Sequence, residues 1–113
     1  MNTNIKQFIV SEKQLYNEAF SNKDYDKAFS HLERIHIVSQ QYAIAHTISH
    51  LQMLKFAILT FRPFEILVQI IYTLFGGVLS LIGLVPNGNT GGANAISKGQ
   101  MEIPDDIQNI IKQ

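Results

Sequence analysis

Residues 25–50, YDKAFSHLERIHIVSQQYAIAHTISH, decide the fold because two helical periods follow one another within them. In the first part, apolar side chains recur every three or four residues, which predicts a helix over 25–39. The period restarts at Tyr42, after the polar pair Gln40-Gln41, and predicts a second helix over 42–61. Two helices joined by so short a break indicate an antiparallel hairpin.

Helix signals continue on both sides of this hairpin. Upstream, Ser11 and Gln14 have capping-box spacing and predict a helix over 11–22. Downstream, we expect a helix over 64–84, a Gly/Asn-rich loop over 86–102 and a short helix over 104–111 that has proline and two aspartates in its first turn. The predicted fold class is all-α: one domain over 1–113, built as a small bundle of about four helices with a C-terminal loop and a short terminal helix.

Composition excludes several functional classes. The 113 residues include nine basic and nine acidic side chains, so the chain has no excess of positive charge that would favour binding to nucleic acid. The chain has no cysteine, which leaves imidazole and carboxylate as its strong metal ligands. The N-terminal sequence MNTNIKQFIVSEK has only a three-residue apolar run and does not resemble a secretory signal, so a cytoplasmic location is expected.

The fourth predicted helix is strongly apolar. Residues 66–85 carry no charge, and their length and hydropathy would suit a membrane span. A helix enclosed by amphipathic partners would look equally apolar. We therefore prefer a buried core helix or a homo-oligomer interface to membrane association.

Four histidines lie within twenty residues of one another. His46 and His50 are one turn apart on the same helix face, and the hairpin should bring His36 opposite His46. His31, at the border of its apolar stripe, could reach His50. We predict a metal site formed by His31, His36, His46 and His50 that takes zinc, copper, nickel or iron, because neutral imidazole serves all of these ions.

The carboxylates near these histidines are weaker ligand candidates. Glu33 precedes His36 with the Glu-x-x-His spacing of di-metal bundles, but the period places it on the outer side of its helix. Glu12 and Glu18 lie off the clear apolar stripe of the first helix. No glutamate follows His46, so zinc-protease chemistry is not indicated.

The sequence is compatible with two functional interpretations. The first is a metal-binding helical protein without an assigned reaction. The second is a structural or interaction module with histidines in its core, which associates with itself or with a membrane through the fourth helix. Neither a Ser-His-Asp arrangement nor a glycosidase-like carboxylate pair stands out, so no catalytic residue is predicted.

Three segments together resemble a known family. They are AFSHLERIHI at 28–37, followed by His46 and His50, then VPNGNTGGAN at 85–94, and the terminal Met-x-Ile-Pro-x-Asp pattern at 101–106. This combination resembles a bacterial family of small proteins of unknown function. The resemblance implies a soluble, mostly helical domain and carries no established activity.

Overall fold

The computed structural model describes residues 1–82, 88–93 and 101–112. Within them the chain forms five helices and no strand, which confirms the all-α prediction. The helices are α1 (Thr3–Ser21), α2 (Tyr25–Ser39), α3 (Ala43–Leu59), α4 (Pro63–Leu81) and α5 (Asp105–Ile111).

Helix α1 begins at Thr3, eight residues before the predicted start at Ser11. The Asn2 side chain caps it by accepting the Ile5 N–H at 2.8 Å, which satisfies one of the unpaired donors of the first turn. Ile5 is buried against Ile107 of α5, so tertiary packing stabilises the additional helical turns before Ser11. The capping-box signal at Ser11 lies inside the helix.

The break between α2 and α3 falls where the sequence predicts it. Asp24 caps α2 by accepting the Lys27 N–H at 3.3 Å, and α2 ends at Ser39. Tyr42 has extended backbone angles, φ −122° and ψ 109°, and precedes the first residue of α3. The two helices therefore form a hairpin instead of one continuous rod.

The end of α3 and the start of α4 differ slightly from expectation. Helix α3 stops at Leu59, and Phe61 has a φ of +54° and is exposed rather than on the core face. Pro63 is the first residue of α4, where its missing N–H costs no helical hydrogen bond. The predicted end of this helix at Leu84 and most of the predicted loop 86–102 lie outside the described residues.

The core is centred on Phe56, which is fully buried. Its ring contacts those of Tyr16, Phe20 and Phe29, from α1 and α2, at centroid distances of 5.1–6.3 Å. A smaller cluster joins α1, the end of α2 and α5. These contacts hold the α2–α3 hairpin in place and position the histidines at its turn.

Helix α4 is not enclosed on all sides. Val68 and Gln69 face inward, whereas Leu67, Leu74 and Phe75 are more than half exposed. Of the two preferred alternatives, a buried core helix or a homo-oligomer interface, the first is therefore wrong for the described part of α4. No helix in the described part of the chain has both the length and the apolar character to cross a membrane.

Candidate metal centre

Three of the four histidines converge at the hairpin. His36 comes from the last turn of α2, and His46 and His50 come from successive turns of α3. Their Nε2 atoms lie 3.0 Å (His36–His46), 3.0 Å (His36–His50) and 3.1 Å (His46–His50) apart. All three side chains are buried. We call this group the histidine triad.

The ring proton of His36 is fixed by a backbone carbonyl. His36 Nδ1 lies 2.8 Å from the Asn89 carbonyl oxygen, which can only accept, so Nδ1 carries the proton. The Gln40 side chain donates to the same carbonyl at 3.2 Å and accepts the Gly88 N–H at 2.9 Å. The Nε2 atom of neutral His36 therefore presents a lone pair to the centre of the triad.

The ring proton of His50 is fixed by Gln69. The Gln69 amide nitrogen donates to Glu65 and to the Gly91 carbonyl, both at 2.8 Å, so its oxygen must face His50. His50 Nδ1 then donates to Gln69 Oε1 at 2.7 Å. The Nε2 atom of His50 therefore directs a second lone pair at the same centre.

Burial keeps these rings neutral near pH 7. Burial lowers the pKa of His36 well below its ordinary range, and the neighbouring His50 and His46 lower it further. Burial also lowers the pKa of His50 to about 4, although its hydrogen bond to Gln69 opposes that shift. The 3.0 Å contact between His36 and His50 thus joins two lone pairs, and no hydrogen lies between them.

The triad fits a small metal cation. With metal–nitrogen bonds of about 2.0–2.1 Å, two ligands of a tetrahedral ion lie roughly 3.3 Å apart. The observed spacing of 3.0–3.1 Å requires only small side-chain shifts to reach that geometry. Imidazole nitrogens with no carboxylate among them suit zinc, copper, nickel or iron better than calcium or magnesium.

The segment 88–93 covers the triad. Gly91 has a φ of +84°, and a Cβ atom there would lie 2.7 Å from His36 ring atoms. Only glycine combines this backbone conformation with so close an approach. The segment also supplies the Asn89 and Gly91 carbonyls that bind His36 and Gln69.

His31 lies outside the triad, although the sequence predicts it as the fourth ligand. It is five residues from His36, which turns the two side chains about 140° apart on a helix. His31 Nδ1 contacts Glu12 of α1 at 2.5 Å, and Arg34 Nε donates to the same carboxylate at 2.8 Å. Arg34 also pairs with Asp106 of α5, and that hydrogen bond lowers the pKa of Asp106. We call Glu12, His31, Arg34 and Asp106 the Glu12 network.

The sequence did not reveal the partners of the triad. Gln69 is fully buried. The only indication of its role in the sequence is that it is a polar residue within an apolar helix. Glu65 stands at the edge of that same stretch. The role of Asn89 depends on how the covering segment folds back, which no local pattern encodes.

Together these features define a class, a small all-α protein with a buried cluster of three histidines. The chain belongs to the family described as "Protein of unknown function (DUF3703)", whose model matches residues 3–111. The predicted resemblance to a family of unknown function is thereby confirmed. Comparisons with curated proteins and with solved structures give no match.

Proposed function

We propose that this protein binds one divalent transition-metal ion through the Nε2 atoms of His36, His46 and His50. The observation that carries the proposal is the 3.0 Å approach of the His36 and His50 lone pairs. Two buried acceptors at this distance repel each other, and a cation between them turns the repulsion into coordination.

The alternative of ordinary core histidines explains the site less well. A core histidine normally places each ring nitrogen opposite a hydrogen-bonding partner. Here the outer nitrogens of His36 and His50 have such partners, whereas their inner nitrogens face other imidazoles. His46 in its neutral form has one ring proton to donate and can satisfy at most one of the two.

Elemental analysis tests the proposal directly. Protein expressed without an affinity tag should contain about one transition-metal ion per chain or take up one ion of zinc, copper, nickel or iron. Saturation at a hundredfold excess over the dissociation constant should stabilise the fold by about 2.7 kcal/mol. The double variant His46→Gln/His50→Gln should lose the ion, and the control His31→Gln should keep it. Absence of metal together with an unchanged melting temperature for all four ions would contradict the proposal.

A second candidate function, self-association, is favoured by the exposed apolar surface of α3 and α4. Large apolar side chains follow helical spacing on the outer side of each helix and are 44–79% exposed: Ile44, Ile48, Leu51, Ile58, Leu67, Ile70, Ile71, Leu74 and Phe75. Monomeric soluble proteins rarely expose extended apolar patches of this kind. A second copy of the chain is the partner that this interpretation favours.

Light scattering coupled to size-exclusion chromatography tests this second candidate. The wild-type chain should elute at a multiple of its 12.8 kDa mass, and Leu51→Glu/Leu74→Glu should shift it to the monomer. Both side chains are exposed, whereas the triad is buried, so the variant should keep its metal. A wild-type monomer at high micromolar concentration would argue against self-association.

A further inference from the structure

A metal ion in the triad would need a compensating negative charge. The three ligands are neutral, and the groups that contact them include the Asn89 carbonyl, the Gln69 amide, the Tyr72 ring and the Gly91 backbone, none of which is charged. A divalent ion would bring two positive charges into this buried place. Buried charge without a counter-charge is costly, so a carboxylate within reach of the ligand shell has particular importance.

Glu65 is such a carboxylate. It lies in the first turn of α4, one turn before Gln69 and on the same side of the helix. Its Oε2 accepts the Gln69 amide at 2.8 Å, and its two oxygens lie 3.2 and 3.0 Å from the Ala93 backbone nitrogen. A continuous hydrogen-bonded chain thus runs from Glu65 through Gln69 to His50.

We propose that Glu65 is a positioning residue of the metal centre, which acts through Gln69 to hold His50 in its metal-binding tautomer and supplies negative charge that favours divalent over monovalent ions. This inference rests on the proposed function. It assigns to Glu65 a role that neither the sequence pattern nor the family description contains.

The positioning effect follows from the amide orientation of Gln69. The Glu65 carboxylate and the Gly91 carbonyl accept only, so together they hold the Gln69 nitrogen towards themselves and the Gln69 oxygen towards His50. A reversed amide would present its nitrogen to His50 Nδ1 and move the imidazole proton to Nε2. That tautomer has no lone pair directed at the centre of the triad and cannot bind a metal there.

The charge effect separates this role from a purely structural one. The attraction between a carboxylate and an ion is proportional to the charge of the ion, so loss of Glu65 should weaken Zn²⁺ binding more than Cu⁺ binding. If Glu65 only anchored Ala93, its loss would disturb the ligands equally for both ions. The ratio of the Zn²⁺ affinity to the Cu⁺ affinity, compared between wild type and variant, therefore shows whether the charge of Glu65 contributes to binding.

The experiment is a competition titration of the full chain with Zn²⁺, and with Cu⁺ under anaerobic conditions. Glu65→Gln keeps the side-chain shape and one acceptor oxygen, so it removes charge with little loss of packing. We expect Zn²⁺ affinity to fall about 10–100-fold, and Cu⁺ affinity to fall by a clearly smaller factor. Glu18→Gln, an equal charge change at an exposed position of α1, should leave both affinities unchanged.

A second variant tests positioning without a change of charge. Gln69→Met removes the connection but retains Glu65, and it should lower the affinities for Zn²⁺ and Cu⁺ by similar factors. Unchanged affinities in both variants, or equal losses of the two ions in Glu65→Gln, would overturn the inference while leaving metal binding by the triad intact. A wild-type chain that binds neither ion would instead overturn the proposed function, and this inference with it.

Discussion

Two histidines five residues apart on α2 lie in opposite electrostatic surroundings. His31 contacts the Glu12 carboxylate at 2.5 Å, and Arg34 shares that carboxylate and pairs with Asp106. His36 instead faces two imidazoles and a backbone carbonyl. The Glu12 network contains its own counter-charges, whereas the histidine triad contains none.

This difference teaches how a structural histidine can be distinguished from a ligand. In the Glu12 network each charge has an opposite charge in contact, so the group is complete without an added ion. In the triad, hydrogen bonds to Asn89 and Gln69 use the ring protons and leave lone pairs facing inward. The Glu12 network should therefore determine stability, and the triad should determine metal binding.

The largest expected change in stability comes from Glu12→Ala. The carboxylate is buried, and its removal leaves His31 Nδ1 without this partner and Arg34 paired with Asp106 alone. We expect unfolding free energy to fall by about 2–3 kcal/mol, below the full cost for a buried pair because Arg34 is partly exposed. Urea unfolding of the metal-free protein measures this, with the exposed Glu18→Ala as control. Loss of metal affinity in Glu12→Ala would show that the Glu12 network and the histidine triad do not act independently.

The next effect is a loss of stability in acid that originates in the triad. Folding lowers the pKa of His50 from 6.5 to about 4, so below pH 6.5 the unfolded chain binds a proton that the folded chain does not. This contribution is fully present above about pH 6.5 and is lost as the pH falls. Between pH 8 and pH 5 the metal-free protein should lose about 2 kcal/mol through His50.

Urea midpoints across that pH range measure this loss. His50→Gln should reduce it, whereas His31→Gln should leave most of it in place. An equal reduction in the two variants would show that the pH dependence does not arise in the triad.

A smaller effect is expected where the covering segment meets the triad. Gly91→Ala would place a Cβ atom 2.7 Å from the His36 ring at a φ of +84°. We expect a loss of about 1–2 kcal/mol from the backbone strain alone, together with weaker metal binding because the ring must move. Gly92→Ala is the matched control, since its Cβ atom would meet the Phe29 ring at 3.0 Å and would make only an ordinary van der Waals contact with Glu65, at 3.5 Å. Equal metal affinities in the two variants would mean that the segment does not position His36.

The smallest effect should come from the outer end of the Glu12 network. The Asp106 side chain is 58% exposed, so its pair with Arg34 is screened by water. Asp106→Asn should cost less than about 1 kcal/mol near pH 7. Thermal melts at low and high salt measure it, and a loss as large as that of Glu12→Ala would show that the network acts as one unit.

The sequence predicts the hairpin contact well because that contact is local. His36 and His46 are ten residues apart, and the period alone places them on facing stripes around a short break. Glu12 is expected off the apolar stripe of the first helix, and this expectation is wrong, because Glu12 lies one turn before Tyr16 on the same buried side of α1. With α1 starting at Thr3, the buried positions Ile5, Glu12 and Tyr16 lie on one side of the helix.

The partners of the triad could not be predicted for a different reason. Gln69 and Asn89 reach the histidines through the rotation of α4 and the return of segment 88–93, which tertiary packing determines. An isolated glutamine in an apolar helix indicates a buried polar contact but does not identify the partner. Helix periodicity therefore predicts the ligands, and only the structure identifies the groups that orient them.

X-ray absorption spectroscopy at the zinc edge of the zinc-loaded protein tests the central claim most directly. We predict three imidazole nitrogens at about 2.0–2.1 Å from the ion in the wild type, two in His46→Gln, and three again in His31→Gln. A zinc environment made of oxygen atoms, or with at most one imidazole, would contradict metal binding by the triad.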